Sequence, residues 1–182
     1  ICQQFRQQYP EIRFEINSSY TNFNLNHDDI DIAFRATNTP PDNMIAKQLI
    51  TYQHDLVATP SYLNQFGRPT NVSDLSNHQC LATLHQTEWP LKSANIDVSG
   101  WLSSNDNHLL KQQAMIGNGI IRIASYYVDK EVERGELERV LPGECLQQGN
   151  SIYLFYPQVI YPAKKHQVFI KFVQNYFESL SR

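Results

Sequence analysis

Hydrophobic positions at the start of the chain recur every four residues. Ile1, Phe5 and Tyr9 are separated by Gln and Arg, which places them on one helical face. Pro10 stops that helix. The period then changes to two: Ile12, Phe14 and Ile16 alternate with Glu11, Arg13 and Glu15, the pattern of a half-buried strand. Ser18 to Asp29 is rich in Asn and Asp and is weak helix at best. Ile30, Ile32, Ala33 and Phe34 predict a short buried strand with Arg35 at its end. This helix–strand–helix–strand order marks an α/β domain with a parallel sheet.

The alternation continues along the chain. Met44–Ile50 and Leu56–Ala58 read as extended, and Thr59-Pro60-Ser61-Tyr62-Leu63 as a strand end passing into a short helix. Glu88–Pro90 and Ile96–Leu102 predict a small hairpin-like excursion. Ser104-Asn105-Asp106 forms a helix N-cap cluster, with Asn105 as the cap, and the helix runs to the Gly117-Asn118-Gly119 turn. Ile120, Ile121 and Ile123 make the next strand, Val128–Gly135 a short helix, and Ile152–Tyr156 a β-run. The last helix, Gln167–Leu180, carries an apolar stripe of Val168, Phe169, Phe172, Val173 and Tyr176.

Composition narrows the function classes. Of 182 residues, 41% are hydrophobic and 18% charged, which fits a soluble globular protein with room for a core. No apolar run approaches the roughly 18 residues of a membrane span. The formal charge is −3 and the basic residues are scattered, so this segment is not expected to grip DNA by itself. Cys2, Cys80 and Cys145 lie far apart, which argues against a disulfide framework or a zinc knuckle and fits reduced thiols in the cytoplasm.

The series YPEIRFEI, DIDIAFR, LVATPSYL, HQCLA, VSGWLSSND, AMIGNGIIRI, GELERVLP and IYLFYP, closed by an amphipathic helix, is specific in its order. It resembles the effector-binding domain of LysR-type transcriptional regulators, and within them the CrgA-like branch. The resemblance implies a two-lobed type 2 periplasmic-binding-protein-like fold, with mixed sheets, flanking helices and two crossover strands. Lobe I would hold Ile1–Gln53 and Tyr153–Arg182, and lobe II His54–Ile152. The resemblance also implies a strand and loop ahead of Ile1, central to the first lobe, and an N-terminal winged helix-turn-helix that alone reads DNA. A homodimer would form through contacts of lobe I with lobe II, with Ile1–Tyr9 and Ile12–Ile16 as interface candidates. The protein would be cytoplasmic, with no membrane partner and no cofactor.

In open α/β sheets ligands bind beyond the carboxyl ends of strands, where helix N-termini offer free N–H groups. That rule selects Ser18, Ser19 and Arg35 in the first lobe. In the second it selects Thr59, Pro60, Ser61, Ser104 and Asn105. By the resemblance, Ser19 and Asn105 fall where family members contact effectors. Such a cleft suits a small anion or polar metabolite. Each choice also has a structural reading: Ser18 and Ser19 cap a short helix, Arg35 braces a crossover loop, and Thr59-Pro60-Ser61 makes a turn. Gly117 and Gly119 read as structural. Tyr153, Phe155 and Tyr156 read as packing between the lobes.

An enzyme reading finds little support. His78 and Cys80 are the residue types of a thiol nucleophile, but positions i and i+2 of a strand share a face without any chemistry. His27-Asp28-Asp29 reads as a polar loop before it reads as a metal site, and His54-Asp55 as a solvated strand edge. The chain contains no nucleophile elbow, zinc motif or dinucleotide fingerprint. The runner-up is a solute-binding protein of a transporter, on the same fold.

Overall fold

The computed structural model describes residues 1–18, 30–37, 39–40, 42–84, 86, 88–146, 150–158 and 163–180, with the side chain of residue 180 excepted. The chain divides into two compact units: Ile1–Thr51 with Asn150–Arg182, and Tyr52–Gly149.

In the first unit, α1 (Cys2–Gln8) and α5 (Lys164–Leu180) accompany a three-stranded sheet of β1 (Ala33–Thr37), β2 (Met44–Tyr52) and β10 (Asn150–Pro157). β10 is central, in the order β1-β10-β2, and pairs antiparallel with β1. Both helical periods survive as packing. Phe5 is buried, and its ring centroid lies 5.0 Å from Phe169, 5.2 Å from Phe172 and 4.6 Å from Tyr9. Leu154, Ile170 and Val173 complete this core.

Two expectations change here. Ile12–Ile16 has no strand ladder among the described residues. Its alternation persists only as burial: Ile12 and Phe14 dock on the Phe5 core, while Ile16 is 72% exposed. Arg35 is not at a strand end. The strand starts three residues later than Ile30, and Arg35 sits mid-strand opposite Tyr153, because pairing with β10 runs on to Thr37 opposite Ser151.

The second unit is built on a five-stranded sheet in the order β7-β4-β8-β3-β9. Its strands are β3 (His54–Ala58), β4 (Cys80–Thr83), β7 (Ser103–Ser104), β8 (Ile120–Ala124) and β9 (Glu138–Val140). β4 runs parallel to β7 and β8, whereas β3 runs antiparallel to β8 and β9. The sheet is therefore mixed rather than wholly parallel. One face carries Leu56, Ala58, Cys80 and Ile120 against Tyr62, Leu63, Trp89 and Leu91. The other carries Val57, Leu81, Ile121 and Ile123 against Leu110, Ala114 and Val128. Burial on both faces explains why these strands read as continuous apolar runs.

Helix α2 (Pro60–Phe66) follows β3, α3 (Asn107–Met115) follows β7, and α4 (Asp129–Glu133) precedes β9. The expected hairpin forms from β5 (Glu88–Pro90) and β6 (Asn95–Asp97), but its second strand ends at Asp97 and does not run on to Leu102. Gly119 is fixed by close approach: a Cβ there would collide with the carbonyl oxygen of Gln79.

Candidate functional site

Strand direction decides which predicted residues share a neighbourhood. β3 is antiparallel to β8, and β8 is parallel to β4 and β7. The carboxyl end of β3, at Ala58-Thr59, therefore lies at one end of the sheet. The carboxyl ends of β4, β7 and β8 lie at the other, where the chain also enters this unit at Tyr52. From the registers, Thr59 and Ser104 are about 13 Å apart along the strands, at roughly 3.3 Å per residue. Thr59-Pro60-Ser61 and Ser104-Asn105 do not form one wall.

At the Thr59 end, the Thr59 side chain caps α2, accepting from the Tyr62 N–H at 3.2 Å. Its hydroxyl lies 3.0 Å from that of Ser61. Pro60 occupies the first helical turn, where a missing N–H costs nothing. Gly117 packs against this pair: a Cβ there would meet the Thr59 and Ser61 hydroxyls. These residues account for one another structurally.

At the Tyr52 end, the cap of α3 is Asp106, not Asn105. Asp106 Oδ1 accepts from His108 N–H at 2.8 Å and Leu109 N–H at 3.3 Å, and Ser104 Oγ accepts from Asp106 N–H at 3.0 Å. The carboxylate at the positive helix end outcompetes the neutral amide one residue earlier. Asn105 is left exposed at the strand–helix junction.

The same end carries an aromatic and cationic cluster that the sequence reading missed. Ser125 donates to the Gln53 carbonyl through both N–H, at 2.9 Å, and Oγ, at 2.8 Å, which extends the β3–β8 ladder by a residue. The Tyr52 ring lies 5.4 Å from that of His54 and 5.4 Å from that of Tyr126, which lies 4.8 Å from Tyr127. His54 is not a solvated edge residue. It lies within β3 opposite Ala124, and burial, with the Arg122 cation adding to it, pushes its pKa down to about 4. Arg122 sits opposite Leu56 in β8, and burial lowers its pKa as well. The signal was present in the sequence: Arg122 is the one charge in the apolar run Ile120–Ala124.

In the first unit, Ser18 is exposed and Arg35 half-buried in β1. Ser19 and His27-Asp28-Asp29 lie outside the described residues. Phe155 is buried and Tyr156 packs against the first unit's own core. Two shallow surface grooves, one along α5 and one along α3, bring none of the predicted residues together.

The thiol reading fails on geometry. His78 Nδ1 lies 3.3 Å from the Tyr62 hydroxyl, which also accepts from the Gln79 N–H at 2.9 Å, while the Cys80 thiol donates to the Leu75 carbonyl. Burial pushes the Cys80 pKa up to about 12, so no thiolate forms near neutrality.

Residues 1–178 match the family model described as the LysR substrate binding domain. The chain belongs to that family. It is 32% identical over 173 residues to the HTH-type transcriptional activator TtdR of Escherichia coli (strain UTI89 / UPEC), covering 91% of this chain and 55% of that protein. It superposes on the regulatory domain of CrgA, a LysR-type transcriptional regulator from Neisseria meningitidis, with a TM-score of 0.87 at 24% identity, covering 97% of this chain and 89% of that one. Full-length AphB, the Vibrio cholerae virulence activator, matches with a TM-score of 0.84 at 26% identity, covering 97% of this chain and 62% of that one. This LysR domain thus has the two-lobed periplasmic-binding-protein-like fold of its relatives, and it spans about half the length of the curated relatives it matches. Because those relatives are transcriptional regulators, a transporter's solute-binding protein is not favoured.

Proposed function

We propose that this chain is the effector-sensing part of a LysR-type, DNA-binding transcriptional regulator, and that it binds a small polar or anionic metabolite between its lobes. The family match over residues 1–178 carries the reading. The superposition on a structure named as a regulatory domain supports it. In the second lobe the Tyr52 end of the sheet is the favoured wall, because Ser104 and Asn105 gather there with His54, Arg122 and the tyrosines. Ser18, Ser19 and Arg35 are the corresponding candidates in the first lobe. Thr59, Pro60 and Ser61 lie at the far end of the sheet and are the weakest candidates.

The mechanism is a population shift. An effector that binds one lobe arrangement more tightly moves the protein toward it, and one that binds both equally moves nothing. Two copies pair side by side, lobe I against lobe II, with α1 and Ile12–Ile16 in the contact. An N-terminal helix-turn-helix of the longer protein reads DNA, and the protein works in the cytoplasm without a cofactor. No helix among the described residues is long and apolar enough to cross a membrane.

The test is footprinting of the full-length protein on the DNA upstream of its own gene, with and without ligands found by a thermal-shift screen of small carboxylates, amino acids and aromatics. A footprint whose extent changes with a ligand is expected, and Asn105→Ala should raise the ligand concentration required about tenfold. A full-length protein that protects no DNA sinks the reading.

A further inference from the structure

We propose that Arg122 is the anchor for a carboxylate group of a small-molecule ligand, seated at the Tyr52 end of the second unit's sheet with Tyr52 and His54 beside it. The inference rests on the sensor reading above and names the chemistry of its ligand.

Arg122 is anomalous for its position. It stands in β8, a strand with a neighbour on each side, and its cross-strand partner is Leu56. Its Nε is buried and meets no hydrogen-bond partner. Among the described residues its polar neighbours are the Cys145 sulfur, with which the guanidinium shares a hydrogen bond, the Tyr52 hydroxyl and His54, none of which carries charge near neutral pH. No ion pair among the described residues includes it, and the carboxylates of Asp55 on β3 and of Asp129 and Glu131 on α4 have partners of their own. Asp55 and Asp129 both pair with Arg139, at 2.9 and 3.2 Å, and Glu131 pairs with Lys111 at 2.8 Å. Asp55 also lies level with Ile123 rather than with Arg122, and so points to the opposite face of the sheet.

A guanidinium taken partly out of water without a counter-ion is costly, and the cost is recovered only when an anion arrives. The surroundings show the strain in two ways. Arg122 is pushed toward losing its proton, and it helps to hold His54 neutral. An anion at Arg122 relieves both.

The class of anion follows from what is present. A planar guanidinium fork matches one carboxylate bidentately. A phosphate dianion calls for more positive charge than the one cation that the described residues of this unit place beside Tyr52, since His54 is neutral. The rings of Tyr52, His54 and Tyr126 form an edge suited to the ligand's carbon skeleton. The site is open to solvent, because Arg122 and Tyr52 are only half-buried and Tyr126 is 45% exposed.

The test titrates the protein with acetate, succinate and benzoate, and with acetamide, succinamide and benzamide as uncharged controls. The readouts are the Arg122 Nε–H resonance in 15N–1H spectra, assigned by its loss in R122K, and binding heat. At least one acid should move that resonance saturably while its amide does not. R122Q should weaken binding of that acid tenfold or more, and R122K less. Ligand-free R122M should melt no lower than the parent, since it removes an uncompensated cation; a purely structural arginine would give a lower Tm. Acids that bind R122Q as tightly as the parent, amides that match their acids, or no binding by any acid would each overturn the anchor. The sensor reading would survive all three, because the footprint decides it independently.

Discussion

The central strand β8 of the second unit and the edge strand β1 of the first are buried differently. In the second, β8 has apolar residues on both faces, each covered by its own cluster. In the first, the edge strand β1 alternates between half-buried and exposed positions and Phe34 stands 45% exposed, while its central neighbour β10 buries Leu154 and Phe155 on opposite faces. A doubly covered strand has no cheap place for a charge, so Arg122 stands out there. A half-covered strand tolerates Arg35 without comment. The same residue type therefore carries more functional information on a central strand than on an edge strand.

The largest expected effect tests the dependence of the first unit on one cluster. Phe5→Ala removes a ring that touches Tyr9, Phe14, Phe169 and Phe172, and should cost about 3–5 kcal/mol. Hydrogen exchange should accelerate in β10 and α5 well before β8. Equal acceleration in both units would break the contrast, because it would mean that they unfold as one.

Next comes acid. His54 titrates at 6.5 when unfolded and at about 4 when folded. Between those values the unfolded chain binds the extra proton, so the second unit loses stability as pH falls from 6.5 toward 4, by about 2–3 kcal/mol. Denaturant melts at pH 7 and pH 4.5 should show this loss, and His54→Gln should flatten it. An unchanged slope in H54Q would place the acid sensitivity elsewhere.

The smallest effect is at the surface. Arg68 makes two hydrogen bonds to Glu138, at 3.1 and 2.9 Å, but both side chains are well exposed. Arg68→Ala should change stability by less than about 1 kcal/mol, and less still at high salt. A larger loss in a urea melt would show that β9 depends on that pair.

Most elements were legible because their signals are local. The four-residue spacing of Ile1, Phe5 and Tyr9 became α1, and the excursion read at Glu88–Pro90 and Ile96–Leu102 became a hairpin of Glu88–Pro90 with Asn95–Asp97. The failures were failures of partnership. Ile12–Ile16 has strand periodicity but no ladder among the described residues, and periodicity cannot report a missing partner. His54 looks polar enough for an edge, yet its burial is set by neighbouring strands and by Tyr52. Asn105 and Asp106 are both good caps, and only backbone geometry assigned the role to Asp106.

By itself the sequence determined the order of elements, the apolar runs of the central strands and the family resemblance, all of which follow from side-chain polarity along the chain. Only the tertiary structure decided which strand ends face the same way. That depends on hydrogen-bonded pairing between residues such as Val57 and Ile121, far apart in the chain and indifferent to local pattern. For the same reason it alone separated Thr59-Ser61 from Ser104-Asn105. It alone also left Arg122 beside Tyr52 and His54 with no ion-paired carboxylate among the described residues, because a counter-ion is supplied or withheld by the fold in three dimensions.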